Sequence, residues 1–218
     1  MPTGPQSETK SPAPLRLGTQ LILGLILVAG AAGAYWVVTG ATASSRASAP
    51  KAIEVYGSLP DFSFTKEDGA SFTKRDMLGH VSIANFIFTR CPTVCPVFTM
   101  KMQRVAEQTS SEIQLVSFSV DPDYDTPARL AAYAAKHRAD TTRWHFLTGD
   151  HRSVKETVEG ALKISMERMG EDENGVPDIV HGTHFVLFDG EGQIRGYYNS
   201  DDAGRIATMI QDAESLSK

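Results

Sequence analysis

Apolar and polar residues change rhythm several times along this chain. From Leu17 to Val38, Leu, Ile, Val, Gly and Ala run almost unbroken, and no charged residue occurs between Leu17 and Ser45. About 20 such residues, rising 1.5 Å each, cross a bilayer's hydrocarbon core, and Tyr35 and Trp36 suit its far interface. The pattern predicts one transmembrane anchor over 17–38. A cleaved signal peptide is the rival reading, because Ala41-Thr42-Ala43 resembles a small-residue cleavage site. The apolar run, however, exceeds the roughly 7–15 residues of a signal core. Residues 1–16, rich in Pro, Ser and Thr, predict a disordered tail, and 39–56 predict a tether. A single globular domain is expected over 57–218.

Within that domain the periods are shorter. Phe62–Thr65 and Ala70–Thr73 flank Glu67-Asp68-Gly69 and predict an N-terminal β-hairpin. Val81–Phe88, dense in β-branched and aromatic residues, predicts a buried strand, and Val97–Ala106 a helix with Pro96 at its first position. Ile113–Val120 follows as a strand. Thr126 is expected to cap a helix with Pro127 in its first turn, running to about Arg138. Trp144–Thr148 predicts a short strand, and Asp150 caps a helix ending near Leu162. Gly170–Pro177 is acidic and turn-rich, an expected exposed insertion. Thr183–Phe188 and Gln193–Tyr198 predict a second hairpin around Asp189-Gly190-Glu191-Gly192, and a last helix starts near Ser200–Ala203 and reaches Leu216. Strands alternating with helices, then a closing hairpin and helix, predict an α/β sandwich with a mixed central sheet and flanking helices.

Composition narrows the function. The 218 residues are 41% hydrophobic and 22% charged, as in an ordinary folded protein. With 21 basic against 26 acidic residues, a net charge of −5 and no long basic run, nucleic-acid binding is not expected. The chain has two cysteines, Cys91 and Cys95, in Cys91-Pro92-Thr93-Val94-Cys95-Pro96. They fall at the turn from a strand to a helix N-terminus, where backbone N–H groups and the helix dipole favour a thiolate. Such a pair can close to a disulfide, clamp a soft metal, or do both at different times. A purely structural disulfide gains little here, because so short a loop constrains the unfolded chain weakly. A dithiol at the end of the first βα unit points to a thioredoxin-like arrangement.

Three stretches carry a resemblance to the Sco/SenC family of copper-delivering proteins. They are Phe88-Thr89-Arg90-Cys91-Pro92-Thr93-Val94-Cys95-Pro96, then Ser119-Val120-Asp121-Pro122 with Asp125-Thr126, and His181 ahead of Phe185-Val186-Leu187-Phe188-Asp189. The resemblance implies a thioredoxin-like fold and a copper site made by Cys91, Cys95 and one distant histidine. Counting back from the closing hairpin puts that histidine at His181. His184 is the competitor; residues 181 and 184 have opposite parity, so only one of them can face a given side of the strand. Thiolates hold Cu(I), and an added imidazole makes Cu(II) acceptable too. Four ligands in close-spaced pairs, the mark of structural zinc, are absent from the sequence.

What the resemblance implies further is a membrane-anchored copper metallochaperone serving the dinuclear copper centre of cytochrome c oxidase. Its expected partners are a copper-accepting oxidase subunit and a copper donor or thiol reductant. The alternative is a thiol–disulfide oxidoreductase in which Cys91 attacks and Cys95 resolves; a peroxiredoxin-like peroxidase ranks last. Lys10 and Arg16 before the apolar run balance Arg46 and Lys51 after it, and the free amino terminus tips the count towards a cytoplasmic N-terminus. The N-terminal tail resembles no transit peptide, which favours a bacterial inner membrane with the domain facing the periplasm. Other chemistry-bearing residues receive plainer readings. Asp121 and Asp125 are expected to form turns and caps, and Met100 and Met102 to fill core. His80, His137, His145 and His151 have no visible convergent partner.

Overall fold

The computed structural model describes residues 52–92, 94–171, 177–181 and 183–218, together with Ile26, Leu27, Ala29, Gly30 and Tyr35. The chain separates into two units, Met1–Lys51 and Ala52–Lys218. In the first, the five described residues are helical. The rest of the expected anchor over 17–38, the tail and the start of the tether lie outside the described residues. Among the described residues no helix is long and apolar enough to cross a membrane.

The second unit is built on an eight-stranded sheet with the spatial order β1-β10-β9-β4-β5-β6-β2-β3. Its strands are β1 (Gly57–Ser58), β2 (Ser63–Lys66), β3 (Ser71–Thr73), β4 (Ser82–Ile87), β5 (Gln114–Ser119), β6 (Trp144–Thr148), β9 (His184–Phe188) and β10 (Gln193–Asn199). Strands β4, β5 and β6 run parallel, and every other pairing in the sheet is antiparallel. The helices are α1 (Val94–Gln108), α2 (Pro127–Lys136), α3 (His151–Lys155) and α4 (Ala203–Leu216). Helix α1 packs on β4 and against α4, α2 packs on β6 and β2, and α4 packs on β10. This is the mixed sheet with flanking helices and the thioredoxin-like order that the sequence predicts.

The central strands are apolar because covering elements leave them little water. All six residues of β4 are buried, Ser82 and Asn85 among them. Asn85 Oδ1 accepts from Ser117 Oγ at 2.6 Å, and Ser117 Oγ accepts from Trp144 Nε1 at 2.8 Å, so these two oxygens are paired, whereas Asn85 Nδ2 is buried without a hydrogen-bond partner among the described residues. Phe118 stacks on Phe86 with centroids 5.9 Å apart and meets Phe62 and Phe64 edge-on. The N-terminal hairpin β2–β3 joins this core through β6, and Glu67 in its turn accepts the Phe146 N–H at 2.8 Å. Ahead of β1, Tyr56 N donates to Ile194 O at 2.8 Å and Arg195 reaches Ile53 O at 2.6 Å. Packing onto β10 therefore starts inside the segment read as tether.

Local chemistry explains the helix ends. Thr126 caps α2, accepting from Arg129 N, and Pro127 occupies the first helical position, where a missing N–H costs nothing. Asp150 caps α3 through Ser153 N, and α3 continues as a π-helical turn over Glu156–Ala161. Asp202 caps α4 through Gly204 N and Arg205 N. At β10 the register shifts between Ile194 and Gly196, and a Cβ on Gly196 would stand 2.6 Å from the Tyr198 ring. Glycine is required at that bulge.

Two features depart from expectation. The stretch read as an exposed insertion belongs in part to a second, two-stranded sheet, β7 (Met166–Glu171) against β8 (Pro177–His181). It escapes notice in the sequence because Met166–Glu171 is largely polar and lacks clean alternation. And α1 is helical from Val94, two residues before Pro96, so Cys95 already lies within the helix.

Candidate metal centre

Strand β4 delivers the chain to the cysteines. After Ile87 the backbone leaves the sheet, and Cys91 N turns back to Phe88 O at 3.3 Å. Helix α1 then buries Cys95, Phe98, Thr99, Met102 and Val105 along one stripe, the spacing that points side chains at a core. Pro96 sits in the first turn, where its absent N–H has no intrahelical acceptor to miss. Cys95 is therefore a core residue, whereas Cys91 is half-buried at the rim. Both are thiols.

The sulfurs are tied to backbone. Phe88 N donates to Cys95 Sγ, and Cys95 N donates to Cys91 Sγ, each at 3.4 Å. Hydrogen bonding to the Cys91 side chain, then burial, pushes the Cys95 thiol far above the ordinary cysteine range. For Cys95, the bond with Cys91 first and burial second both oppose the thiolate that a helix start favours. Below it, Thr99 Oγ1 and Tyr133 Oη share a hydrogen bond of 2.7 Å, and burial raises the Tyr133 phenol.

The loop after β5 grips the turn that precedes Cys91. Asp125, fully buried, accepts from Thr89 N at 3.1 Å, from the Thr89 hydroxyl and from Ser119 Oγ at 2.6 Å. Burial raises its carboxyl against the lowering pull of those donors. Asp121 takes Arg90 Nε at 2.6 Å, and the Arg90 guanidinium stands 4.4 Å from the centre of the Tyr124 ring. The expected turn is present, with Asp125 N donating to Asp121 O at 2.9 Å. The side chains do more than turn the chain, however: they hold residues 89 and 90. No local signal marks this grip: Ser119 ends β5, and Thr89 lies two residues beyond the end of β4.

The histidine arm reaches the same end of the sheet by topology. Strand β9 runs antiparallel to β4 with Ser82 opposite Phe188 and Ala84 opposite Val186. It therefore begins where β4 finishes, beside the cysteine turn. His184 is the first residue of β9, half-buried and opposite Asn199. His181 is the last residue of β8, its backbone paired with Met166, and its side chain lies outside what the structure describes. The two histidines occupy different strands of different sheets, so alternation along one strand does not choose between them. Among the described residues no three His, Cys, Asp or Glu side chains converge as a metal site.

The remaining candidates fall elsewhere. Met102 is core as expected, but Met100 is 49% exposed, in line with Val94 and Val97 on the outer face of α1. His151 pairs with Asp123 at 2.8 Å, His137 lies against Tyr133, and His145 against Phe72. A cavity of about 580 Å³ separates Asp121 from His151 and Glu159 of the α3 region and from Met166 and Ile179 of the β7–β8 sheet.

Comparison with known proteins agrees with this layout. The family model described as SCO1/SenC matches residues 52–218. The SCO1 protein homolog of Bacillus subtilis (strain 168) is 33% identical over 159 residues, covering 72% of this chain and 81% of that protein. A SCO1/SenC family lipoprotein from Bacillus anthracis superposes with a TM-score of 0.67 at 34% identity, over 74% of this chain and 96% of its own. BsSco, described with a disulfide switch as a member of the Sco family of cytochrome c oxidase assembly proteins, superposes with a TM-score of 0.64 at 28% identity. The match covers 74% of this chain and 94% of BsSco. ScoI of Bradyrhizobium japonicum, solved with copper bound, shares the fold at a TM-score of 0.63 and 20% identity, over 73% and 99% of the two chains.

Proposed function

The chain belongs to the SCO1/SenC family, and from that premise we propose that it is a copper metallochaperone that binds copper through Cys91, Cys95 and His181. One observation carries the reading: a rim thiol and a core thiol follow the end of β4, at the end of the sheet where its antiparallel neighbour β9 begins. Two thiolates suit Cu(I), one imidazole extends the site to Cu(II), and a three-ligand shell leaves room for a partner's ligand. The copper-bound relative of the same fold supports the choice of metal. The accepting partner is an oxidase subunit that carries a dinuclear copper centre, in line with the assembly role given for BsSco. The apolar run 17–38 tethers the domain to a bacterial inner membrane on its periplasmic side.

Titrating the reduced chain with Cu(I), and with Cu(II) under anaerobic conditions, tests this in wild type, Cys91→Ala, His181→Ala and His184→Ala. The expected result is one copper per chain, lost with Cys91→Ala and weakened far more by His181→Ala than by His184→Ala. Equal losses at the two histidines, or loss at His184 alone, overturns the ligand assignment.

The second reading is a thiol–disulfide oxidoreductase that reduces the partner's cysteines before metallation. The unequal exposure of the pair favours it, since an accessible Cys91 can attack and a buried Cys95 can resolve. Reductase turnover that survives in His181→Ala, a protein no longer holding copper, would select this reading.

A further inference from the structure

Asp125 is a buried carboxylate whose side chain does no capping work for α2, because Thr126 supplies that cap. Burying a carboxylate is costly unless its oxygens are well used. Here they are used on one neighbour and its support. Thr89 N lies 3.1 and 3.3 Å from the two oxygens, the Thr89 hydroxyl donates to Oδ1, and Ser119 Oγ donates to Oδ2 at 2.6 Å. Ser119 Oγ also accepts Asp121 N at 3.1 Å, and Asp121 in turn holds Arg90. The two residues that lead into Cys91 are thus clamped to the loop after β5.

We infer that Asp125 is a positioning residue for the dithiol: by pinning Thr89 it fixes the strand end that presents Cys91, and so holds the pair towards the dithiol form. The inference rests on the proposed use of Cys91 and Cys95 as the reactive pair. A disulfide needs Cβ atoms about 3.8 Å apart and a torsion near 90°. Closing it takes Cys91 Sγ from the Cys95 N–H to a Cys95 sulfur held in a core helix, so any backbone adjustment falls on the 88–91 turn. It also disturbs the Phe88 N–H bond to Cys95 Sγ. Asp125 opposes that movement at its root.

Equilibration of the full chain in detergent with glutathione buffers tests this. In the exchange two cysteine thiols lose two electrons and two protons to form one S–S bond, and one glutathione disulfide takes them up to become two glutathione thiols. Asp125→Asn is expected to move the exchange constant about tenfold or more towards the protein disulfide. Thr89→Val, which keeps the carboxylate, should move it the same way by less. Ser117→Ala removes a buried hydroxyl from the same sheet; it should lower thermal stability and leave the exchange constant at wild type. Wild-type constants in both Asp125→Asn and Thr89→Val overturn the inference, as does a shift of equal size in Ser117→Ala. A shift towards the dithiol in Asp125→Asn also overturns it, for that is the sign expected if the carboxylate acted only by its charge on the thiols. If Asp125→Asn does not fold, Thr89→Val decides alone. The exchange needs no copper, so a chain that binds none but shows these shifts refutes the metal reading and keeps this one.

Discussion

The backbone N–H of Cys95 points at the sulfur of Cys91 from 3.4 Å, which places the rim sulfur over the first turn of α1. The Cys95 sulfur lies one layer deeper and takes the N–H of Phe88. Two residues of one chemical type therefore face different solvents: one is half-buried, the other fully enclosed.

Alkylation should report that difference. In the reduced native chain at pH 8, iodoacetamide is expected to modify Cys91 about tenfold faster than Cys95 or more, because the raised Cys95 thiol supplies little thiolate and little access. In denaturant both should react alike. Equal native rates, read by mass spectrometry, would contradict the burial described for Cys95.

Glu159 offers a handle on the histidine arm. On the π-helical turn after α3, its carboxylate accepts Met166 N at 2.9 Å, and Met166 is the cross-strand partner of His181. Glu159→Ala should loosen the base of the β7–β8 sheet and weaken copper binding several-fold, while Glu159→Gln, which keeps an acceptor oxygen, should bind like wild type. The Cys91–Cys95 exchange constant should not move in either. Copper affinities unchanged in Glu159→Ala would uncouple β7 from the site.

The N-terminal hairpin carries a pH signature. Burial alone would raise the Glu67 carboxyl, but the His145 ring 4.0 Å away and the Phe146 N–H outweigh it and hold the group below its ordinary 4.5. A carboxyl lowered on folding adds stability that is complete above pH 4.5 and lost as pH falls through its folded value. Urea midpoints of wild type should therefore drop below pH 4.5, and Glu67→Gln should flatten that limb. Parallel curves for the two proteins would rule Glu67 out as a source.

Core packing near the site should be expensive to break. Phe118 touches Phe62, Phe64 and Phe86 and is 1% exposed. Phe118→Ala is expected to cost about 3–5 kcal/mol of unfolding free energy. A loss under about 1 kcal/mol in urea would mean that the site collapses around the missing ring.

Elements with their own local signal could be read from the sequence, and elements made by distant pairing could not. Trp144–Thr148 is a strand with the predicted bounds, and Thr126-Pro127 opens a helix as its cap chemistry demands. Both hairpins announced themselves through Gly-containing turns between apolar runs. Strand β7 did not, because Met166-Glu167-Arg168-Met169-Gly170-Glu171 owes its extended form to pairing with 177–181. At the site, the cysteine pair is evident from spacing, but the burial of Cys95 is not, because Val94 and Cys95 sit ahead of the proline that marks the expected helix start, whereas the helix begins at Val94. The grip of Asp125 on Thr89 joins residues 125 − 89 = 36 apart in sequence, and no local pattern encodes it.

The antiparallel seam between β4 and β9 has a consequence for biosynthesis. Cys91 and His181 are 181 − 91 = 90 residues apart, and the proposed ligands can meet only once β9 has zipped along β4. During synthesis the dithiol emerges first and must wait, carrying two reactive sulfurs, until nearly the whole domain has been made. A half-made chain can thus be oxidised but cannot capture copper through the full trio. Competence for the metal then doubles as a certificate that folding has finished.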